Sequence, residues 1–272
     1  MKSPANHIER IAVEPGVKLA VEVPPPSNKP VMVLSNSIGA TMSMWDDIVA
    51  RLTERWRLVR YDTRGHGQSD VPAGPYTIDR LGLDAVAILD VLEIPRATFC
   101  GLSLGGLMGQ WLGAIRGERL TGLVLANTAP NFPPPSLWLE RAAAVRAHGM
   151  APMIVPTLDR WLTRSFRELH PERTEQLGKM IAAISPEGYA ACCEVLAVAD
   201  LKPRLPDIGC PVLVICGAND PSTPPSRGEE IAAGVPGARM VTLDAAHISA
   251  IEASGAFAEE LLQFAVRTVG PA

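Results

Sequence analysis

The residue best placed to do chemistry is Ser103, which stands between two glycines in the segment GLSLG, residues 101–105. This G-x-S-x-G spacing is typical of a nucleophile elbow, a sharp turn from a strand into a helix that exposes a serine hydroxyl. Glycine is needed on both sides because a side chain there would collide with the neighbouring backbone. An apolar run precedes the segment and a helix-prone run follows it, which favours an elbow over an ordinary flexible turn.

A base must accompany the serine, because a hydroxyl is a weak nucleophile at neutral pH and the base itself needs an orienting acid. Along chains with such an elbow the acid follows the serine, and the histidine follows the acid. His247 is the base that we predict, since it comes just after the last predicted strand, where a loop can reach the serine. His148 and His170 fall in a helical stretch, and we expect both at the surface.

Two carboxylates compete to orient His247. Asp220 ends the preceding predicted strand, LVICGAND. Asp244 is only three residues from the histidine and is expected to end its own strand or to bond its own loop. We favour Asp220, and so predict a triad of Ser103, Asp220 and His247 for nucleophilic catalysis.

An oxyanion hole requires backbone N–H donors beside the serine. Leu104 directly follows the nucleophile and is the first predicted donor. The second is expected from the loop SNSIGA, residues 35–40, where Ile38 is the preferred candidate and Ser37 the next. Only the backbone acts here, so the identity of either side chain is uninformative.

The segment YDTRGHGQSD, residues 61–70, also contains a histidine between two glycines. His66 could be a catalytic residue or a metal ligand. We favour a structural role in which Asp62, Arg64 and His66 organise the loop by hydrogen bonding. No second ligand has metal spacing, and His247 already supplies the chemistry.

Alternating strands and helices must position these residues. The alternation continues to about residue 128 and implies crossover connections, hence a mostly parallel sheet with helices on both faces. The proline-rich segment APNFPPPS breaks this rhythm, several helices follow, one of them over IVPTLDRWLTRSF, and strands return after LKPRLPDIGCP. We therefore predict an α/β fold with a core of residues 1–130 and 201–272 and an inserted all-helical cap of residues 131–200.

Composition narrows the classes of function. The chain has 272 residues, 47% of them hydrophobic, and a net charge of −4, so we expect a large core and no nucleic-acid partner. The five cysteines lack metal-ligand spacing and are expected to be small buried side chains in the reducing cytosol. The polar start MKSPANHIER predicts no leader, and no apolar run approaches the roughly 18 residues of a membrane helix. A cytoplasmic protein that does not bind membranes is expected, and its oligomeric state is left open.

Several segments together resemble a known family. GLSLGG at the elbow, YDTRGHGQSD, the helical insertion and the final AAHIS resemble the α/β-hydrolase superfamily. Within it, segments such as FCGLSLGGLMGQWLG and SPEGYAACCEVLAVADLK resemble the 3-oxoadipate enol-lactonases, also called β-ketoadipate enol-lactone hydrolases. The resemblance runs from about residue 31 to 265 and includes the insertion, which matters because many activities share one hydrolase core.

The resemblance implies an α/β-hydrolase fold with an inserted helical cap. It also implies a reaction of the β-ketoadipate pathway of aromatic catabolism, in which Ser103 opens a small anionic enol-lactone without a metal or cofactor. Because that substrate carries a carboxylate, a cation should face the pocket from the cap, and an arginine beside an indole suits a planar carboxylate and a flat ring. The candidates are Trp138, Arg141, Arg160, Trp161 and Arg164.

Other activities share the same triad. A related carboxylesterase or lactonase, or a carbon–carbon bond hydrolase, is the alternative to the enol-lactonase. Serine rather than aspartate at the elbow argues against a dehalogenase. A receptor built on a hydrolase scaffold would tolerate the loss of a triad member, whereas this chain has a candidate for each.

Overall fold

The computed structural model describes residues 7–269, except for the side chains of Val266 and Val269. Residues 1–6, where the sequence predicts no leader, and residues 270–272 lie outside the described residues. The outer limits of the predicted core, residues 1 and 272, therefore fall outside them as well.

A single sheet organises the described part of the chain. Its strands are β1 (His7–Glu14), β2 (Val17–Val23), β3 (Val31–Ser35), β4 (Arg57–Tyr61), β5 (Ala97–Leu102), β6 (Leu120–Ala126), β7 (Val212–Gly217) and β8 (Arg239–Leu243). Within residues 7–269 they lie in the order β1-β2-β4-β3-β5-β6-β7-β8. β1 pairs with β2 and β2 with β4 antiparallel, and the other neighbours pair in parallel. The predicted mostly parallel α/β sheet is confirmed.

Helices connect most of these strands. They are α1 (Asp46–Leu52), α2 (Ile78–Val91), α3 (Leu104–Ile115), α4 (Pro135–His148), α5 (Ile154–Trp161), α6 (Arg164–Leu169), α7 (Pro171–Ala182), α8 (Pro186–Val198), α9 (Pro225–Gly234), α10 (Ser249–Glu252) and α11 (Ser254–Val269). Short 3₁₀ turns cover Met42–Trp45, Gly117–Arg119, Ala151–Met153 and Lys202–Asp207.

Two neighbouring residues of β6 show that helices cover both faces of the sheet. Successive side chains of a strand point to opposite faces. The position of a Cβ on Gly122 would lie 2.9 Å from the ring of Phe264 on α11. The side chain of the next residue, Leu123, lies 2.9 Å from the corresponding position on Gly109 of α3. β5 and β7 are buried along their whole length, as is typical of parallel strands between two helical layers.

Helices α4 to α8 form a continuous helical segment between β6 and β7. The two ends of this segment meet, because Asn131 forms a bridge with Asp200 and the Leu201 N–H donates to the Pro130 carbonyl over 2.8 Å. The division into a core and a cap of residues 131–200 stays a prediction, and this closure supports it.

One predicted helix is wrong in its extent. The sequence predicts a single helix over IVPTLDRWLTRSF, but the chain forms α5 and α6 with a break between them. The backbone of Leu162 is extended, and the Trp161 carbonyl accepts the N–H of Ile248 from another part of the chain. The Thr163 hydroxyl then caps α6 by accepting the Phe166 N–H. A tertiary contact and a local cap together interrupt a continuous apolar pattern.

Within residues 7–269 no single helix is long and apolar enough to cross a membrane; α7 and α8, bent by 90° at their junction, reach that length and apolarity only as a pair. The same part of the chain holds no group of three or more His, Cys, Asp or Glu side chains placed to bind a metal ion. All five cysteines are unpaired thiols, four of them buried.

Candidate active site

Ser103 occupies a strained turn between β5 and α3. Its φ of +58° lies in the left-handed region that a residue with a side chain rarely adopts. A Cβ on Gly101 would lie 2.0 Å from the Gly105 carbonyl oxygen, and a Cβ on Gly105 would lie 2.3 Å from the carbonyl oxygen of Ser35. Both glycines are therefore required by backbone contacts, and the turn has the form of the predicted elbow.

Free backbone donors lie on both sides of the serine. Leu104 is the first residue of α3, a position at which the N–H has no acceptor within the helix. In the facing loop the Ser37 N–H donates to the Met44 sulfur, and the Gly39 and Ala40 N–H groups are also used. Among the described residues the Ile38 N–H has no acceptor, so it is the group of this loop available to a ligand.

His247 and Asp220 are joined by a hydrogen bond of 2.8 Å from Nδ1 to Oδ2. The carboxylate accepts further hydrogen bonds from the Thr223 hydroxyl, the backbone of Ser222 and the side-chain amide of Asn127, at 2.7, 2.8 and 3.1 Å. Nδ1 thus carries a proton, and Nε2 is left unprotonated in the neutral ring, as a general base requires.

The electrostatics of this pair favour an ionised acid. Burial alone would raise the pKa of Asp220, but the adjacent His247 and the hydrogen bonds from Thr223 together lower it to about 2. The carboxylate therefore stays charged at neutral pH and can stabilise a positive imidazolium.

The other candidates for acid and base lie elsewhere. Asp244 accepts a hydrogen bond from the side chain of Asn219 at 3.0 Å, and Asp220 is the carboxylate that contacts His247. His148 and His170 are exposed.

A cavity of about 340 Å³ brings Ser103 and His247 together beneath the helical segment. Ile38 lines the same cavity, while Asp220 lies behind the histidine. Within residues 7–269 the Ser103 hydroxyl has no hydrogen-bond partner, so the shared cavity is the observation that joins it to His247. Apo enzymes often form this bond only when substrate is present.

Four of the five aromatic and cationic candidates from the sequence line this cavity, namely Trp138, Arg141, Arg160 and Trp161. The Arg164 candidate is wrong, because its side chain is 85% exposed and pairs with Glu168 on the same helix. Arg160 belongs to α5 and Arg164 to α6, so the break between these helices separates the two residues.

Two of the arginines that line the cavity, Arg141 and Arg160, lack carboxylate partners among the described residues. Arg141 lies over the Trp138 ring at 4.5 Å. The Arg160 guanidinium donates to the Thr157 hydroxyl over 3.2 Å. Burial, and then the nearby charge of Arg141, lower the pKa of Arg160. Two like charges in a partly buried cavity raise each other's free energy. A bound anion would lower it, so this pair of arginines favours an anionic ligand.

Three further residues of the site carry no recognisable motif in the sequence. Tyr189 and Arg227 line the cavity, and Arg227 donates to the carbonyl of Asn131, another lining residue, over 2.6 Å. Asn127, just past the end of β6, donates to Asp220 and to the Ala246 carbonyl over 3.2 Å. A polar residue directly after a buried parallel strand was the available signal for Asn127.

The loop of residues 61–70 is held by hydrogen bonds, in agreement with its predicted structural role. The Asp62 carboxylate accepts the backbone N–H groups of Met42 and Gln68, at 2.7 and 2.8 Å. The Arg64 guanidinium makes two hydrogen bonds of 2.7 Å to Asp84, and both side chains are buried.

Comparison with known proteins identifies the family. Residues 30–254 match a family model described as alpha/beta hydrolase fold. The chain is 44% identical over 231 residues to 3-oxoadipate enol-lactonase 2 of Acinetobacter baylyi, covering 85% of this chain and 86% of that protein. It is 38% identical over 246 residues to 3-oxoadipate enol-lactonase 1 of the same organism, covering 90% and 92%.

A solved structure gives the same result in three dimensions. The enol-lactonase from Burkholderia xenovorans LB400 superposes with a TM-score of 0.91 at 42% identity, covering 93% of this chain and 98% of that one. Similarity at this level extends over both the sheet and the helical segment that roofs the cavity.

Proposed function

Since the chain belongs to the α/β-hydrolase fold family, we propose that it is a serine hydrolase that opens 3-oxoadipate enol-lactone to 3-oxoadipate. The proposal is supported by the two enol-lactonases of Acinetobacter baylyi and by the Burkholderia enol-lactonase, whose similarity includes the helical segment. We assign Ser103 as nucleophile, His247 as general base and Asp220 as the acid that orients it.

The reaction begins at the lactone carbonyl. Ser103 attacks the carbonyl carbon while Nε2 of His247 takes the hydroxyl proton, because Nδ1 is committed to Asp220. The negative oxygen of the tetrahedral intermediate accepts the N–H groups of Ile38 and Leu104. The ring C–O bond then breaks, and the His247 imidazolium gives the proton that it took from Ser103 to the leaving enolate, which becomes a ketone and leaves His247 neutral.

Hydrolysis of the acyl-enzyme completes the cycle. His247 removes a proton from water, and the resulting hydroxide attacks the ester carbonyl that Ser103 now carries. The same two N–H donors stabilise the second oxyanion. Collapse of this intermediate releases the new carboxylate and returns the proton to Ser103, so that water is the only co-reactant.

The observation that carries the proposal is the set of residues that line the cavity. Ser103 and His247 face the same space as Arg141 and Arg160, and the cavity's described lining contains no carboxylate. Such a cavity binds a small anion whose carbonyl group lies at the serine.

Replacement of the nucleophile tests the reaction type. We expect Ser103→Ala to lower kcat for the enol-lactone and for a nitrophenyl ester by at least about 10³-fold, because the covalent route is lost. Ser136→Ala, at an exposed serine of α4, is the matched control and should retain wild-type rates. Equal activity of Ser103→Ala and wild type on both substrates would refute the assigned nucleophile.

The cavity arginines are proposed to bind the substrate carboxylate. We expect Arg141→Ala and Arg160→Ala each to raise KM for the anionic lactone about 10- to 100-fold, the typical cost of losing a charged hydrogen bond. KM for a neutral nitrophenyl ester should change far less. Arg164→Ala removes an exposed cation outside the cavity, four residues further along the chain than Arg160, and should change neither value. Equal effects on the anionic and neutral substrates would contradict carboxylate binding.

A further inference from the structure

We propose that His66 is a positioning residue for the oxyanion hole, because its ring accepts the Gly39 N–H and so holds the turn that presents the Ile38 N–H. The inference rests on the proposed function in one respect, the assignment of Ile38 as an oxyanion donor. His66 itself does not line the catalytic cavity, and it acts on the reaction through the backbone of Ile38 and Gly39.

The donor belongs to a tight turn of residues 37–40. The Ala40 N–H donates to the Ser37 carbonyl over 3.2 Å, which closes a four-residue β-turn. Gly39, in the third position, has a φ of +80°, whereas Ile38, in the second, does not have a positive φ. This combination defines a type II turn, in which glycine is favoured at the third position.

A type II turn differs from a type I turn mainly by a flip of its central peptide. Here the central peptide joins Ile38 to Gly39, and its N–H donates to Nε2 of His66 over 3.0 Å. A flip would direct the Ile38 carbonyl oxygen at the same nitrogen, and two acceptors would then face each other. Because glycine can adopt either conformation, an acceptor outside the turn is what selects one of them.

The ring of His66 is built to be an acceptor at this point. Nδ1 lies 3.3 Å from the Arg64 carbonyl, which fixes the proton on Nδ1 and leaves Nε2 free to accept. The side chain is only 1% exposed. Burial lowers the pKa of His66 to about 4, so the ring is neutral at physiological pH.

Two neighbouring hydrogen bonds support the same loop. The Asn36 side chain donates to the Tyr61 carbonyl over 2.8 Å, and Asp62 accepts the Met42 N–H over 2.7 Å. These bonds hold the two ends of residues 36–42, and His66 holds the middle, next to the donor. On its other side Gly39 packs against the Tyr189 ring. The loop YDTRGHGQSD, residues 61–70, thus holds the loop of residues 36–42 in place by hydrogen bonds.

A double-mutant cycle tests the inference. His66→Leu removes the acceptor, while His66→Gln retains a carbonyl oxygen that can replace Nε2. Ile38→Pro removes the donor but suits the second position of a type II turn. We expect His66→Leu to lower kcat for a nitrophenyl ester about 10- to 100-fold with KM changed by less than about 3-fold, since only the transition state uses the hole. His66→Gln should restore most of kcat.

The decisive comparison is made in the Ile38→Pro background. If His66 acts through the Ile38 N–H, His66→Leu should lower kcat by less than about 3-fold there. The oxyanion donor that His66 positions is already absent from Ile38→Pro, so removing the acceptor has little further effect. An equal fall in both backgrounds, or a fall in His66→Gln as large as in His66→Leu, would overturn the inference and leave a merely structural histidine.

The two proposals can fail separately. Hydrolysis that persists in Ser103→Ala would refute the proposed function, and this inference with it. Ser103-dependent hydrolysis with an unchanged kcat in His66→Leu would refute this inference alone. Should His66→Leu not fold, ¹⁵N NMR of the wild-type protein decides: an unprotonated Nε2 coupled through its hydrogen bond to the Gly39 amide nitrogen is expected, and a proton on Nε2 would overturn the inference.

Discussion

Asn127 connects the acid and the histidine loop through a single side-chain amide. Its Nδ2 group donates both to Asp220 and to the Ala246 carbonyl, and its Oδ1 atom accepts the Ser249 hydroxyl. All of these groups are buried, so the loss of the amide leaves unpaired polar atoms as well as a less restrained acid.

We expect Asn127→Ala to lower kcat about 10-fold and the free energy of unfolding by about 1–3 kcal/mol. Asn127 has a φ of +43°, so alanine also introduces backbone strain, whereas Asn127→Gly does not. Steady-state kinetics and urea unfolding of both variants separate the two effects. The same loss of kcat is predicted for both, and a normal kcat in Asn127→Gly would show that the hydrogen bonds do not position the acid.

We expect His66 to make the stability of the fold depend on pH, because its pKa of about 4 lies below the ordinary value of 6.5. Between these two values the unfolded chain binds the proton and the folded chain does not, so stability rises with pH across this window. The contribution is present in full above pH 6.5 and is lost as the pH falls toward 4, by about 3 kcal/mol.

Urea unfolding at pH 7 and pH 4.5 checks this sign. Wild type should lose more stability than His66→Gln between the two pH values, since glutamine does not titrate. The Asp62 and Asp84 carboxyls, whose pKa values burial raises, are common to both proteins and cancel in the comparison. Equal losses in the two proteins would contradict a neutral buried ring.

A single site residue could be identified from the sequence where a backbone constraint requires particular residues at fixed positions around it. Ser103 was predictable because the contacts of Gly101 and Gly105 admit only glycine. Tyr189 and Arg227 were not predictable, because a side chain that reaches the cavity from a helix has the same local pattern as one that does not. Arg164 shows the converse error, since a helical break that depends on Ile248 turns it to solvent.

At the scale of elements, helix α8 contacts the loop of residues 61–70 through two glycines. A Cβ on Gly188 would lie 2.0 Å from the Gly65 carbonyl oxygen, and a Cβ on Gly65 would lie 2.5 Å from Cα of Gly188. Backbone therefore meets backbone where the helical segment rests on the core. Tyr189, the next residue of the helix, is the one that packs on Gly39.

We expect Gly188→Ala to destabilise the protein by about 1–3 kcal/mol, although alanine is normally the better helix former, because the backbones must separate. Gly178→Ala in α7 is the matched control, since its Cβ would lie at an ordinary 3.4 Å from Ile154. That control should be neutral or stabilising by up to about 1 kcal/mol. Thermal unfolding of both variants measures the difference, and a neutral Gly188→Ala would mean that this contact is not tight.

Element order was predictable because hydrophobic periodicity repeats within each element. β3, β5, β6 and β7 appear in the sequence as short apolar runs, and α2 as a helical stripe. The spatial order of the strands does not follow from the pattern, since β4 lies between β2 and β3. The short helix α10 after His247 has only four residues, three of them buried, which is too short for a periodic pattern to predict.

At the scale of the whole molecule, the net charge of the chain and the charge of the cavity lining have opposite signs. The chain has a net charge of −4, which repels an anion at long range. The cavity has three arginines in its lining and no carboxylate within the described part; Arg227 pairs with Glu230 outside the lining, whereas Arg141 and Arg160 have no carboxylate partner among the described residues. A cleft of one sign with apolar walls focuses its field outward, so an anionic substrate meets a local attraction that outweighs the weak and distant repulsion.

This balance predicts the effect of salt on the reaction. We expect kcat/KM for the anionic lactone to fall about 2- to 5-fold between 20 and 500 mM NaCl, because salt screens the attraction at the cavity mouth. The value for a neutral nitrophenyl ester should not change. Arg141→Ala should reduce the slope for the anion, whereas Arg164→Ala should leave it intact, because Arg164 is exposed and paired outside the cavity. A rise of kcat/KM with salt would mean that the net negative charge, and not the arginine-lined cavity, governs the approach of the substrate.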